Sequence, residues 1–324
     1  MKSSFLQPPE FLSLPFFGMS VSQSSIRLTK FKNNKAGYVP DIVDEVLIKE
    51  TCDFFTNPNS YADCSEIIKA LKDLKKKHAI HFIQLAVPEE NTYVFRISIP
   101  GTIEIVEDFI LNNIDQYIPL TAAEVCFDYK ILTAHSTDTT TVVVVTAIPR
   151  LVIEKYTSLF ESCGLFILAF EPETHAIARC VIDVGDMSPY VIINVVHQST
   201  SISVVEEGRV QYTQTIPIKT EDIAQVSPEN AKVFQESINK VIIYWFTSKD
   251  QHVQNPKIEN IILTGENMQS SDLINFLESS LSVNVTFADV WKNCFDIQQY
   301  VPKISKKDSL KYATCIGLSL SNIK

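Results

Sequence analysis

The sequence predicts an α/β fold with a duplicated half. Stretches with strand-like apolar patterning alternate with amphipathic helical stretches along most of the 324 residues. A strand-turn-strand unit at residues 14–31 finds an echo at residues 190–205. Self-similarity at the roughly 20–50-residue period of solenoids is absent, so the echo marks two halves and not an array.

A chain of this length suits two or three subdomains around more than one core. The apolar fraction of 45% is enough for globular packing, and the net charge of −10 argues against a general nucleic-acid binder. The clear basic run, "KDLKKKH" at 72–78, falls at the end of a predicted helix, where cations suit the carbonyl end of the dipole. The β-branched run "TTTVVVVTAI" is too short to span a bilayer. Seven scattered cysteines without CxxC spacing indicate reduced thiols in a cytoplasmic protein, with neither zinc nor a disulfide framework. His78 and His81 fall on different elements, so their spacing is not read as a metal pair.

Residues 1–13 read as a loose leader, broken by Pro8 and Pro9 and lacking the apolar run of a secretory signal. Strands follow at "LPFFGMSV" and "SIRLTKFK", joined near Ser22–Ser24, and a third is expected at "DIVDEVLIKE". Ile67, Ile68, Leu71 and Leu74 recur at helical spacing in a helix that Ser60 or Asp63 would cap. "IHFIQLAVP" is nearly all apolar and reads as a central strand. Residues 92–165 then read β–α–β–β–α, a compact small block. Its first helix, "EIVEDFILNNIDQYIP", is expected to bury Ile105, Phe109, Ile110, Ile114 and Tyr117, and its second closes at Gly164, a left-handed cap. "LFILAFEPE" returns as a strand and leads into the helix "HAIARC". Three strands follow in 189–218, with turns near His197–Ser199 and a hairpin at Glu207-Gly208. A helix from Pro228 behind a Ser227 cap, the strand "IENIILTG", the helix "SSDLINFLESSL", the short strand "VNVTFAD" and a closing helix with Ala313, Cys315 and Gly317 complete the order.

Several stretches, taken in order, resemble one family. They are "ISIPGTIEIVEDFILNNIDQYIPLTAAEVCFDYKIL", "VVVVTAIPRLVIEKYTSLFESCGL", "FEPETHAIARC", "IENIILTGENMQSSDLINFLESSLSVNVTFADVW" and "YATCIGLSL". Their order and spacing are similar to those of the PilM family, cytoplasmic actin-like proteins of type IV pilus assembly that are themselves similar to FtsA. The resemblance covers residues 14–323. It implies an actin-like (ribonuclease H-like) duplicated α/β fold with an inserted small α+β domain. The first half would comprise 14–91, 166–187 and 305–324, the insert 92–165, and the second half 188–304.

The resemblance also implies where nucleotide chemistry would sit. The family's first phosphate turn is Asp-x-Gly-x-Ser; here it is Ser20-Val21-Ser22-Gln23-Ser24, without the metal-side acid or the glycine. The second is Asp-x-Gly-x-x-x-Thr; here Asn194 replaces the acid, Val196 the glycine, and Thr200 matches. On the adenosine side the Gly-Gly pair becomes Gly265-Glu266, whose carboxylate would repel a phosphate unless paired. Glu173 and Glu171 match acidic positions near the γ-phosphate or metal. Glu173 is either a water-positioning catalytic acid, if ATP is turned over, or a carboxylate at the start of the helix "HAIARC". Each lost metal-side carboxylate costs on the order of a few kcal/mol of binding, enough for two to move a micromolar site toward millimolar.

The expectation is a degenerate, pseudo-ATPase member with no cofactor and no resident metal; ATP and Mg2+ enter only if the cleft functions. Its implied partner is the N-terminal cytoplasmic peptide of a PilN-like single-span membrane protein, held between the main body and the insert, with other pilus platform and motor components nearby. Neither nucleic acid nor direct membrane insertion is expected, and the location implied is the inner face of the plasma membrane through that partner. The alternative is an active ATP-binding ATPase or switch. An FtsA-like tethered polymer ranks below both, since "LSLSNIK" carries no amphipathic tail. His135, Ser136 and Asp138 in one polar turn do not make a triad by proximity alone.

Overall fold

The computed structural model describes residues 14–49, 64–100, 106–132, 136–137, 139–196, 199–219, 228–247, 256–266, 271–281 and 283–321. The leader, the Ser60, Asp63 and Ser227 caps, Ile105, His135 and Asp138 lie outside them.

In chain order the strands are β1 (Phe16–Val21), β2 (Ser25–Asn34), β3 (Gly37–Leu47), β4 (Phe82–Val87), β5 (Tyr93–Pro100), β6 (Val125–Ile131), β7 (Thr140–Pro149), β8 (Phe166–Pro172), β9 (Tyr190–Val195), β10 (Thr200–Glu206), β11 (Arg209–Ile216), β12 (Asn260–Gly265) and β13 (Asn284–Phe287). The helices are α1 (Ser65–His78), α2 (Val106–Asn113), α3 (Arg150–Ser162), α4 (Glu173–Val181), α5 (Pro228–Thr247), α6 (Ser271–Leu281), α7 (Lys306–Ser309) and α8 (Ala313–Ser319).

The echo in the sequence is a repeat of sheet topology. One sheet runs β3-β2-β1-β4-β8 and the other β11-β10-β9-β12-β13. In each, two antiparallel pairings are followed by two parallel ones. The turn β1–β2 in one sheet therefore occupies the place of the turn β9–β10 in the other. Glu207 and Gly208 both take positive φ, 55° and 67°, which matches the twist of the β10–β11 hairpin.

The first sheet packs on α1 and α3 through Leu71, Leu74, Val152, Tyr156 and Phe160. Burial of each such side chain contributes about 1.5–3 kcal/mol. The sequence grouped α3 with the small block, but its apolar stripe faces the first sheet because Val152, Tyr156 and Phe160 recur at helical spacing on one side. The small antiparallel sheet β5-β7-β6 has its own core with α2, including Ile97, Ile99, Ile110, Ile114 and Val145. Val106 and Ile118 share that core, whereas Tyr117 is 43% exposed and stacks on Phe95 at 5.2 Å. The second sheet buries Ile193, Ile202, Val204 and Ile261 against Phe234, Ile238 and Trp245 of α5.

Helices α4 and α8 cross between the two large sheets. Ile177, Val181, Ala313 and Ile316 join the second core, while Ala176 and Leu318 pack with Ala86 of β4. One strand starts earlier than the sequence reading, and one stretch that it assigned to no element consists of turns. Strand β3 starts at Gly37, earlier than "DIVDEVLIKE", and residues 288–305 form turns seated by Trp291 and Phe295. Among the described residues no helix is long and apolar enough to cross a membrane.

Candidate functional site

The turns β1–β2 and β9–β10 approach the crossing of α4 and α8. At the first, Ser22 N donates to Ser25 O at 2.9 Å and closes the turn. The Ser22 hydroxyl accepts from the amides of Ser24 at 3.3 Å and Ser25 at 3.1 Å. It also lies 3.1 Å from the Ser25 hydroxyl. Amides that could point at a ligand oxygen are thus met by an oxygen of the turn itself. Ser20 Oγ lies 3.2 Å from Cys315 Sγ on α8, and Gln23 is half-buried at the tip.

At the second turn, Val196 N donates to Ser199 O at 3.0 Å, and Thr200 donates its hydroxyl to Ile218 O at 2.8 Å. Asn194 is buried, and its Nδ2 points to Glu173 Oε2 at 3.4 Å. Gly265 has φ +111° and backs onto Val195, whose carbonyl accepts from Glu266 N at 2.7 Å.

Charged groups bridge these turns. Arg27 of β2 donates from Nε to Glu45 at 2.7 Å and from a terminal nitrogen to Glu266 at 2.5 Å. The side chains of Arg27 and Glu266 are 8% and 12% exposed. Lys311 also pairs with Glu45. Burial disfavours charge on Arg27, yet Glu266 and Glu45 outweigh it and raise its pKa. Glu90 accepts from the Ser199 hydroxyl at 2.5 Å, a second link between the halves.

Two carboxyls lie beside this bridge. Glu89 accepts from Thr174 N at 2.7 Å and so supplies the oxygen at the start of α4, the role the sequence offered to Glu173. Its other oxygen, Oε2, is buried with no hydrogen-bond partner, and burial raises its pKa against the pull of the Thr174 bonds. Glu173 is held well above the usual carboxylate range, first by burial, then by the charges of Glu90 and Glu89, with Arg27 opposing. Glu171 is paired with Arg179, which donates to Gly317 O at 2.8 Å.

The Glu173 shift has a defined pH signature. Between the ordinary glutamate range and the raised native pKa, the folded chain binds more protons than the unfolded one. Stability from this group is therefore lost as pH rises through that window. Glu173→Gln is expected to stabilise the chain at about pH 8, with the gain shrinking toward about pH 4. Denaturation midpoints of both proteins across that range check it, and a gain independent of pH would contradict it.

The structure links Asn194 to Glu173, Glu266 beside Gly265 to Arg27, and Ser20 to Cys315 of α8, whereas the Ser22 bonds stay within its own turn and Thr200 turns to Ile218; sequence reasoning missed Arg27, Glu45, Glu89 and Glu90. Arg27 is separated from Glu266 by 239 positions, so no local pattern could pair them. Two surface cavities, of about 430 Å³ beside Lys72 and Lys76 and about 420 Å³ beside Ile297 and Val301, lie elsewhere. The basic run ends α1, where Lys77 and His78 both meet Asp44. Ser136 bonds to Leu132 O and Val142 N within its own turn. Among the described residues no group of three or more His, Cys, Asp or Glu is placed to hold a metal.

Twin sheets of the same strand order, with two turns facing helices that cross between them, define the actin-like ATPase fold. The solved structures bear this out at the level of fold. The chain is similar to a chain of a PilM-PilN type IV pilus biogenesis complex, with 13% identity, a TM-score of 0.73, and coverage of 96% of this chain and 99% of that one. It is similar to MreB 5 of Spiroplasma citri bound to AMPPNP, with 10% identity, a TM-score of 0.50, and coverage of 94% and 95%. Residues 18–226 match the family described as type IV pilus assembly protein PilM, and the chain belongs to that family. No curated protein matches the sequence significantly.

Proposed function

We propose that this chain is a scaffold of type IV pilus assembly that binds the cytoplasmic N-terminal peptide of a PilN-like membrane protein without turning over ATP. The observation that carries the reading is the self-contained first turn, in which the Ser22 hydroxyl takes the Ser24 and Ser25 amides. The residues do not fit a magnesium–triphosphate. A ligand phosphate would have to displace that hydroxyl, then meet the carboxylates of Glu266 and Glu90, with Arg27 already committed to two partners.

Family membership and the likeness to a PilM chain solved with PilN support the partner. Strand β6 is an edge of the small sheet, and Arg150 at the start of α3 donates to Ala123 O at 3.0 Å and Val125 O at 3.2 Å beside it. An extended peptide laid along β6 gains main-chain hydrogen bonds there and side-chain pockets against α3. Through such a partner the chain would sit at the inner face of the plasma membrane, near the platform and motor components.

The test is a thermal-shift series. Millimolar Mg-ATP should leave the midpoint unchanged, while a synthetic N-terminal peptide of a PilN-like protein from the same genome should raise it. A ligand at a hundred times its Kd adds about 2.7 kcal/mol, so a real site is readily seen. A shift with Mg-ATP would instead favour the active ATPase, and silence with the peptide would remove the partner.

A further inference from the structure

We propose that Arg27 is an internal clamp that holds the two halves together where a nucleotide would otherwise bridge them, so that the closed arrangement needs no ligand. This rests on the reading of the cleft as nucleotide-free.

Arg27 belongs to the first sheet and Glu266 follows β12 of the second, so their 2.5 Å contact crosses from one half to the other. Both ends are fixed. Arg27 is held by Glu45 at 2.7 Å, and Glu45 by Lys311 next to α8. Glu266 is held by its own amide on Val195 O. The guanidinium fork meets two carboxylates from different halves, a geometry that a lysine ammonium does not reproduce.

The surroundings need this cation. Glu90, Glu89 and Glu266 all act on the buried Glu173, and Arg27 opposes them. Without Arg27, Glu45 and Glu266 would lose the buried cation they share, and Glu266 the group that draws it toward the first sheet. In a nucleotide-driven relative of this fold, a bound metal and phosphates would link the turns; here an arginine already links them. A buried ion pair of this kind is a better device for fixing one arrangement than for adding stability. The Ser199–Glu90 bond is the second contact along the same seam.

Hydrogen–deuterium exchange on the full chain tests the clamp. In Arg27→Met and in Glu266→Gln, the amides of Val196 and Glu266 should exchange about tenfold faster or more, while the Leu132 amide in the small sheet should not change. If Arg27→Met does not fold, Glu266→Gln decides alone, since it keeps the Arg27–Glu45 pair. Unchanged exchange in a folded Glu266→Gln protein would overturn the proposal. Calorimetry with Mg-ATP is a separate readout: binding there would sink the nucleotide-free reading, whereas the exchange rates judge the clamp.

Discussion

Gly317→Ala is expected to destabilise the chain by more than about 3 kcal/mol, against the usual sign for glycine in a helix. In an unconstrained helix interior the same change gains roughly 0.5–1 kcal/mol, because alanine loses less backbone entropy on folding. Here a Cβ at 317 would lie 1.7 Å from Ala176 O and 2.3 Å from Ala176 C. Both atoms are backbone of α4, so no rotamer change relieves the overlap. The helices would have to move apart, and that opens the packing of Ala176 and Leu318 on β4 and the Arg179 bond to Gly317 O. Gly18 repeats the situation on the other side of α8, where a Cβ would lie 2.3 Å from Cys315 O. The helix that joins the two sheets therefore has no slack in either direction. Urea unfolding of the two proteins measures the difference, and an equal or higher midpoint in Gly317→Ala would show that the crossing is looser than described.

The small residues of the closing helix were readable because close packing leaves a mark on residue type at the position itself. The same holds for Gly164, which ends α3 at φ +70°, and for the Glu207-Gly208 hairpin. The order of strands and helices was legible for a related reason: each element's period is set by its own buried face. What was illegible depends on partners far away. Strand β3 begins at Gly37 because that residue packs on the carbonyl of Cys294, 2.7 Å from where its Cβ would be. Neither segment announces the other. Residues 288–305 have no helical or strand period, yet Trp291 packs on Phe31 and Phe295.

The site divides along the same line. The serine-filled first turn was visible, since missing glycine and acid are local facts. That Ser22 itself answers the turn's amides was not, because it depends on the turn's conformation. Pro88-Glu89-Glu90 reads as a polar end to a strand. Only the placement of α4 against it makes Glu89 a buried partner of Thr174. Arg27 sits at a strand position that alternation assigns to one face without saying what lies opposite.

Gly265 separates two explanations of one retained glycine, and Gly265→Ala is expected to cost more than about 3 kcal/mol. If the glycine survives only as a remnant of nucleotide approach, a methyl group there should be harmless in a chain that, as proposed, binds none. The backbone says otherwise. Gly265 holds φ +111°, which alanine rarely adopts, and a Cβ would stand 2.0 Å from Val195 O and 2.6 Å from Val195 N. Strands β9 and β12 pair through this position, with Gly265 opposite Val195. Relief would shift the end of β12 and carry Glu266 away from Arg27, so the loss should appear both in unfolding free energy and in faster exchange of the Glu266 amide. A stable Gly265→Ala protein with an unchanged Glu266 amide would return the glycine to the nucleotide explanation. It would also loosen the case that sheet geometry, rather than a ligand, now sets the distance between the halves.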